Sequence, residues 1–205
     1  MASSGTEVAL RVFLHGWGSC AEQFRAAWPP ARLQPAARCC FLNGCEQDPL
    51  TGRRRWFAFS GQEATLARSL RERSEQVERM IECELLHRGE AADAVIALVG
   101  HSQGGMLALA ITLRGRLNVA AADSYAAFLP AAEQTEASAG ATAARITLHA
   151  SQVDEYVPLH RVQATVQQLR RLGLRHVELR VGAALPHAFC ADWLDRWPAP
   201  ASLHA

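Results

Sequence analysis

Short apolar runs alternate with helix-length segments through most of this chain, and that alternation limits what it can fold into. Val8–Leu14, Arg38–Leu42, Ala94–Val99, Ser124–Leu129, Arg145–Ala150 and His176–Val181 are each long enough for one buried strand and too short for a buried helix. Between several of them the period changes to that of a helix. The clearest case runs from Gln62 to Arg88, with Leu66, Leu70, Val77, Ile81 and Leu85 on one face and Gly89 as the stop. Glu75 and Arg79 on that helix are expected to pair at i,i+4. A second helix starts at Pro158, carries Val162, Val166 and Leu169 inward and ends at Gly173. Strand and helix in alternation imply a mostly parallel central sheet flanked by helices, in one α/β domain spanning residues 1–205. In such a sheet ligands gather at the carboxyl ends of the strands, so functional residues belong in strand-to-helix loops.

One of those loops is distinctive. The run Ala94–Val99 enters Gly100-His101-Ser102-Gln103-Gly104, and a small-residue helix from Gln103 to Leu113 follows. This is the sequence form of a nucleophile elbow, a sharp strand-to-helix turn that lifts a serine hydroxyl clear of the sheet. The close approach of strand and helix leaves room only for small residues two positions either side of the serine, where Gly100 and Gly104 stand. The competing reading is a glycine-rich turn in which Ser102 only caps the helix.

A reactive serine needs a base to take its proton and an acid to fix the base's tautomer. In the fold that uses this elbow the chain order is serine, acid, histidine. Of the acids after Ser102, Asp154 lies just past the strand Arg145–Ala150, at the functional edge, with Glu155 beside it as an alternative acid or an accessory charge. Asp123 precedes its expected strand and so belongs to the opposite edge, while Glu133 and Glu136 fall in an Ala/Ser/Thr/Gly-rich connector. Of the histidines after Asp154, His187 follows the last strand at the same edge. His176 opens that strand at the wrong end, His160 belongs to a helix and His204 to a terminal tail. The oxyanion formed in acyl transfer needs two backbone N–H donors. The amide of Gln103 is one candidate, and the amide of Trp17, in the His15-Gly16-Trp17-Gly18 loop after the first strand, is the other.

Trp56, Phe57, Leu129, Tyr156, Val157 and Phe189 come from loops expected at the active edge and are candidates to line an apolar acyl pocket, with a core position as the competing reading of each. Arg53-Arg54-Arg55 reads either as a solvated loop or as an attraction for an acidic leaving group.

Composition excludes more than it assigns. A net charge of +1 gives no field that would gather nucleic acid. No stretch approaches the roughly 20 apolar residues of a membrane span, and Met1–Glu7 lacks the regions of a signal peptide, so a cytoplasmic location is expected. The six cysteines form no CxxC pair, which suits free thiols in a reducing compartment. Cys39 and Cys40 are adjacent on a strand and point to opposite faces, so no metal site is expected.

Together these residues resemble the phospholipase/carboxylesterase family of the α/β-hydrolase superfamily, which includes the acyl-protein thioesterases. The likeness rests on Phe13-Leu14-His15-Gly16-Trp17-Gly18, Trp56-Phe57, Gly100-His101-Ser102-Gln103-Gly104-Gly105, His149 with Asp154-Glu155-Tyr156-Val157-Pro158, and His187. The resemblance implies a small lidless hydrolase with a Ser102, Asp154, His187 triad, an oxyanion hole from the Trp17 and Gln103 amides, and no cofactor. Its expected substrate is a small-molecule or acylated carboxylic ester or thioester with an apolar acyl group. Trp17-Gly18-Ser19 stands where the family usually has Leu-Gly-Asp, and Ala150 replaces a glycine. These departures leave the chemistry intact and bear on the substrate. Three other readings share the plan: a sibling family of small fungal and animal serine hydrolases, acyl transfer to an acceptor other than water, and a non-catalytic binding protein on the same scaffold.

Overall fold

The strands form where apolar side chains alternate into two buried layers, and in a computed structural model, which describes residues 7–59, 61–131 and 137–195, they build one parallel sheet. β1 (Leu10–Leu14), β2 (Cys39–Leu42), β5 (Ile96–His101), β6 (Val119–Tyr125), β7 (Arg145–Ser151) and β8 (His176–Gly182) lie in the order β2-β1-β5-β6-β7-β8. Every neighbouring pair is parallel. A separate two-stranded antiparallel ribbon, β3 (Glu46–Gln47) with β4 (Arg54–Arg55), folds from the loop after β2.

The helices are α1 (Ala21–Ala26), α2 (Glu63–His87), α3 (Gln103–Arg114), α4 (Leu159–Arg171) and the short α5 (Ala191–Asp195). Period-two alternation sends Leu10, Val12, Ile96, Leu98, Ile146 and Leu148 to one face, where they bury the apolar stripes of α2, α3 and α4. Phe13, Val99 and Tyr125 point to the other face and pack with Phe24, Trp28 and Trp193 from the α1 and α5 side. Among the described residues no helix is long and apolar enough to cross a membrane.

Two expectations need correction. The fourth apolar run was placed at Ser124–Leu129, but β6 spans Val119–Tyr125. Ala122 packs with the apolar side chains of α3 while Ala121 points to the opposite face, and backbone pairing to both β5 and β7, not side-chain bulk, makes them a strand. The shift puts Asp123 inside the sheet, not before it, where its carboxylate lies 3.3 Å from Nε2 of buried His149. Glu75 does not take Arg79. The packing of α2 on α3 brings Arg114 within 3.3 Å of Glu75 and 2.9 Å of buried Glu78.

Glu133, Glu136 and His204 lie outside the described residues.

Candidate active site

The turn after β5 is a backbone feature before it is a chemical one. Ser102 is held at φ 52°, ψ −117°, in a region that residues with side chains rarely adopt. Its N–H donates to the Tyr125 carbonyl at 2.8 Å, and its own carbonyl accepts the Met106 N–H at 2.9 Å, so both sides of the turn are pinned. A Cβ on Gly100 would come within 2.2 Å of the Gly104 carbonyl oxygen, and one on Gly104 within 2.0 Å of the Leu14 oxygen. Nothing larger than glycine fits at either place. The Ser102 side chain makes no bond that caps α3. Ala126, just past the end of β6, also has a positive φ, 48°, and its N–H donates to the His149 carbonyl at 2.8 Å.

The Ser102 hydroxyl instead meets His187, whose Nε2 is 3.1 Å from Oγ. On the other side of the ring, Nδ1 lies 2.9 Å from Oδ2 and 3.0 Å from Oδ1 of Asp154. An ionised carboxylate only accepts, so Nδ1 carries the proton and Nε2 is left to accept from the serine. Asp154 Oδ1 also accepts the N–H groups of Tyr156 at 2.9 Å and Val157 at 2.8 Å. Burial by itself pushes the Asp154 carboxyl up, but the bonds from His187, Val157 and Tyr156 outweigh it and hold the pKa below the ordinary carboxylate value. Glu155, the alternative acid, is exposed. The loops carrying Asp154 and His187 are tied together by Ser151, a buried residue at the end of β7. Its Oγ accepts the N–H of Val153 at 3.2 Å and that of Leu185 at 3.1 Å.

The loop after β1 covers the serine. A Cβ on Gly16 would stand 3.4 Å from Ser102 Cβ and 2.4 Å from His101 Nδ1, and the Gly18 N–H donates to the Arg54 carbonyl at 2.8 Å. Behind it His15 is buried and neutral. Burial lowers its pKa, Nδ1 donates to the Gly16 carbonyl at 2.7 Å, and Nε2 accepts the Gly44 N–H at 2.9 Å.

The candidate pocket residues separate by burial. Trp56 is wholly buried, donating Nε1–H to the His15 carbonyl at 2.8 Å, and Phe57, Leu129 and Val157 are also core residues. Phe189 is half-buried among Phe24, Trp28, Tyr125 and His101. Tyr156 is 70% exposed with its ring centroid 5.0 Å from that of His187, and Trp17 is 59% exposed. The Gln103 side chain, for which only the amide was considered, brackets the Trp56-Phe57 segment. Its Oε1 accepts the Trp56 N–H at 3.0 Å and its Nε2–H donates to the Phe57 carbonyl at 2.8 Å. The arginine run is divided: Arg55 pairs with Glu46 and Asp48, Arg54 donates to the Gly44 carbonyl, and the Arg53 side chain lies along Gly18.

Sequence reading missed Gln103's side chain, Ser151 and the ring of His101, because each acts through a partner more than thirty residues away. Only Gln103 and His101 carried a signal, by flanking the elbow serine.

The profile of the family described as Phospholipase/Carboxylesterase matches residues 2–197. The chain belongs to this family. Solved structures similar to this phospholipase/carboxylesterase chain include esterase PE8, at 20% identity over 94% of this chain and 91% of that one with a TM-score of 0.75. SOBER1 from Arabidopsis thaliana matches at 19% identity, 92% and 94% coverage and a TM-score of 0.71. Acyl-protein thioesterase 2 from Zea mays matches at 17% identity, 96% and 93% coverage and 0.68. At these identities the likeness shows a shared α/β-hydrolase fold. No curated protein matches the chain in sequence.

Proposed function

We propose that this carboxylesterase-type hydrolase cleaves carboxylic esters or thioesters through an acyl-enzyme on Ser102. The observation that carries the proposal is the unbroken line of hydrogen bonds from Ser102 Oγ through both nitrogens of His187 to Asp154. In this reading His187 Nε2 takes the serine proton as Oγ attacks the acyl carbonyl carbon, and Asp154 stabilises the imidazolium at Nδ1. The carbonyl oxygen becomes an oxyanion received by the amides of Trp17 and Gln103, neither of which has a protein acceptor among the described residues. His187 then returns the proton to the departing alcohol or thiol. Water, deprotonated by the same nitrogen, attacks the acyl-enzyme carbonyl, and Ser102 recovers its proton as the carboxylic acid leaves. The exposed rings of Trp17 and Tyr156 offer the acyl chain an apolar surface, which favours an apolar acyl group over a polar one.

Ser102→Ala is expected to lower ester turnover on the order of 10⁴–10⁶-fold without unfolding the protein, since the serine side chain contributes no helix cap. Wild type should form a covalent adduct with a fluorophosphonate probe at Ser102, and the variant none. A folded Ser102→Ala protein that retains wild-type esterase activity overturns the proposal. Folded wild type that never labels points to a binding protein on this scaffold. A series of p-nitrophenyl esters and acyl-coenzyme A thioesters of graded chain length locates the preferred acyl group.

A further inference from the structure

His101, the last residue of β5, touches both loops that complete the site. Its Nε2 lies 2.7 Å from the main-chain carbonyl of His187. A carbonyl only accepts, so Nε2 carries the ring proton and Nδ1 presents its lone pair on the opposite side. There the ring abuts the loop after β1: a Cβ on Gly16 would stand 2.4 Å from Nδ1 and 3.1 Å from Cε1, so only a glycine backbone can lie this close. The ring is buried, packed 5.2 Å from the His187 ring and 5.5 Å from that of Phe189, centroid to centroid.

We propose that His101 is a positioning residue, a spacer that sets the separation between the His187 loop and the Gly16–Gly18 loop while its Nε2–H anchors the base's own peptide. The inference rests on the reading of Ser102 and His187 as nucleophile and base. Its physical basis is leverage. The carbonyl held by His101 belongs to the residue whose ring must stay within hydrogen-bonding distance of Ser102. Freeing that peptide lets the ring drift, and a shift of about 1 Å in a reacting group costs roughly 10²-fold in rate. Neutrality is part of the role. Burial, and next the charge of His187 when protonated, lower the His101 pKa to about 3, against the smaller opposing effects of the bond to the His187 carbonyl and of the Asp154 charge. The ring therefore remains an uncharged donor beside a base that must become an imidazolium on every turnover.

The test compares His101→Phe, which keeps the ring and removes the donor, with His101→Gln, whose side-chain amide nitrogen can reach the same carbonyl. Three readouts are taken on each: the rate of fluorophosphonate labelling, kcat and KM for a p-nitrophenyl ester, and the pH dependence of kcat/KM. His101→Phe is expected to lower labelling rate and kcat by roughly 10–100-fold with KM within about twofold of wild type. The acid limb of its pH profile should stay where it is in wild type, because His101 does not titrate there. His101→Gln should recover most of the loss. Should His101→Phe not fold, His101→Asn, one methylene shorter than Gln and short of the carbonyl, takes its place. Labelling of His101→Phe at the wild-type rate overturns the inference. So does a His101→Gln as slow as His101→Phe, which would show that a donor to this carbonyl does not restore the site, and so does a displaced acid limb. Wild type that fails to label defeats the Ser102 reading itself, a result distinguishable from all of these.

Discussion

Ser151→Ala removes one oxygen and releases two loops. The hydroxyl accepts the buried N–H of Leu185 and the partly buried N–H of Val153, and no other acceptor is left for them once it is gone but water. A buried N–H left unsatisfied costs about 1–3 kcal/mol, and a hydrogen bond that water can replace about 0.5–1.5 kcal/mol, so the variant should lose about 2–3 kcal/mol of stability. For a domain of this size each kcal/mol moves the melting temperature by roughly 2–4 °C, which predicts a fall of about 5–10 °C. Calorimetry checks that figure, and urea unfolding should show a lower midpoint at unchanged slope, since the fold is the same at both ends. Activity should fall further than stability accounts for. Val153 adjoins Asp154 and Leu185 is two residues from His187, so slack in either loop lengthens the bonds by which the carboxylate holds the imidazole. A decrease of about tenfold or more in kcat, measured well below the melting transition, is expected from misplacement on the ångström scale. A variant that melts within 2 °C or so of wild type and turns over ester at the wild-type rate would show that Ser151 does not couple these loops, and the argument would fail.

Gly104→Ala should cost at least about 1–3 kcal/mol, because the added Cβ meets backbone atoms of Leu14 and His15 within 2.0–2.7 Å and cannot be accommodated by a rotamer change. Its esterase activity should vanish even where folded protein is recovered, as the shift displaces α3 from the loop after β1. Asp154→Asn should reduce kcat by about 10⁴-fold, since the amide no longer selects the Nδ1–H tautomer. Asp154's pKa is depressed in the folded protein, so its contribution to stability is complete above the ordinary carboxylate value and is lost as pH falls through the depressed one. Wild type's advantage over Asp154→Asn in melting temperature should therefore be full at pH 7 and shrink below about pH 4. Brief alkylation of native protein, read by peptide mass mapping, should modify exposed Cys45 and Cys83 and spare Cys40, whose thiol burial pushes up to about 11.

The sequence by itself carried what depends on neighbours along the chain. Alternation of short apolar runs with segments of period 3.6 was enough for a parallel sheet flanked by helices, because strands buried on both faces are apolar throughout and each helix buries its own repeating stripe. The elbow was legible for the same reason: Gly100, Ser102 and Gly104 meet one another across a single turn, so their spacing states the geometry. The parallel order then located Asp154 and His187 in loops at one edge, where the structure brings their side chains together with that of Ser102.

Tertiary structure alone decided the rest. Ala121 and Ala122 are strand residues only because β5 and β7 pair with them on both sides, and their composition does not announce it. For Trp56 and Phe57 the sequence leaves pocket wall and core both open, and the core position is set by packing and by the Gln103 side chain, forty-six or forty-seven residues away, which bonds their backbone. Ser151, His101 and the reach of Arg114 to Glu75 are likewise contacts between segments remote along the chain. Such contacts leave no periodicity, because a side chain's partner across the sheet edge depends on how strands stack and where helices land. The sequence thus names the candidate groups, and the packed loops set the distances between them.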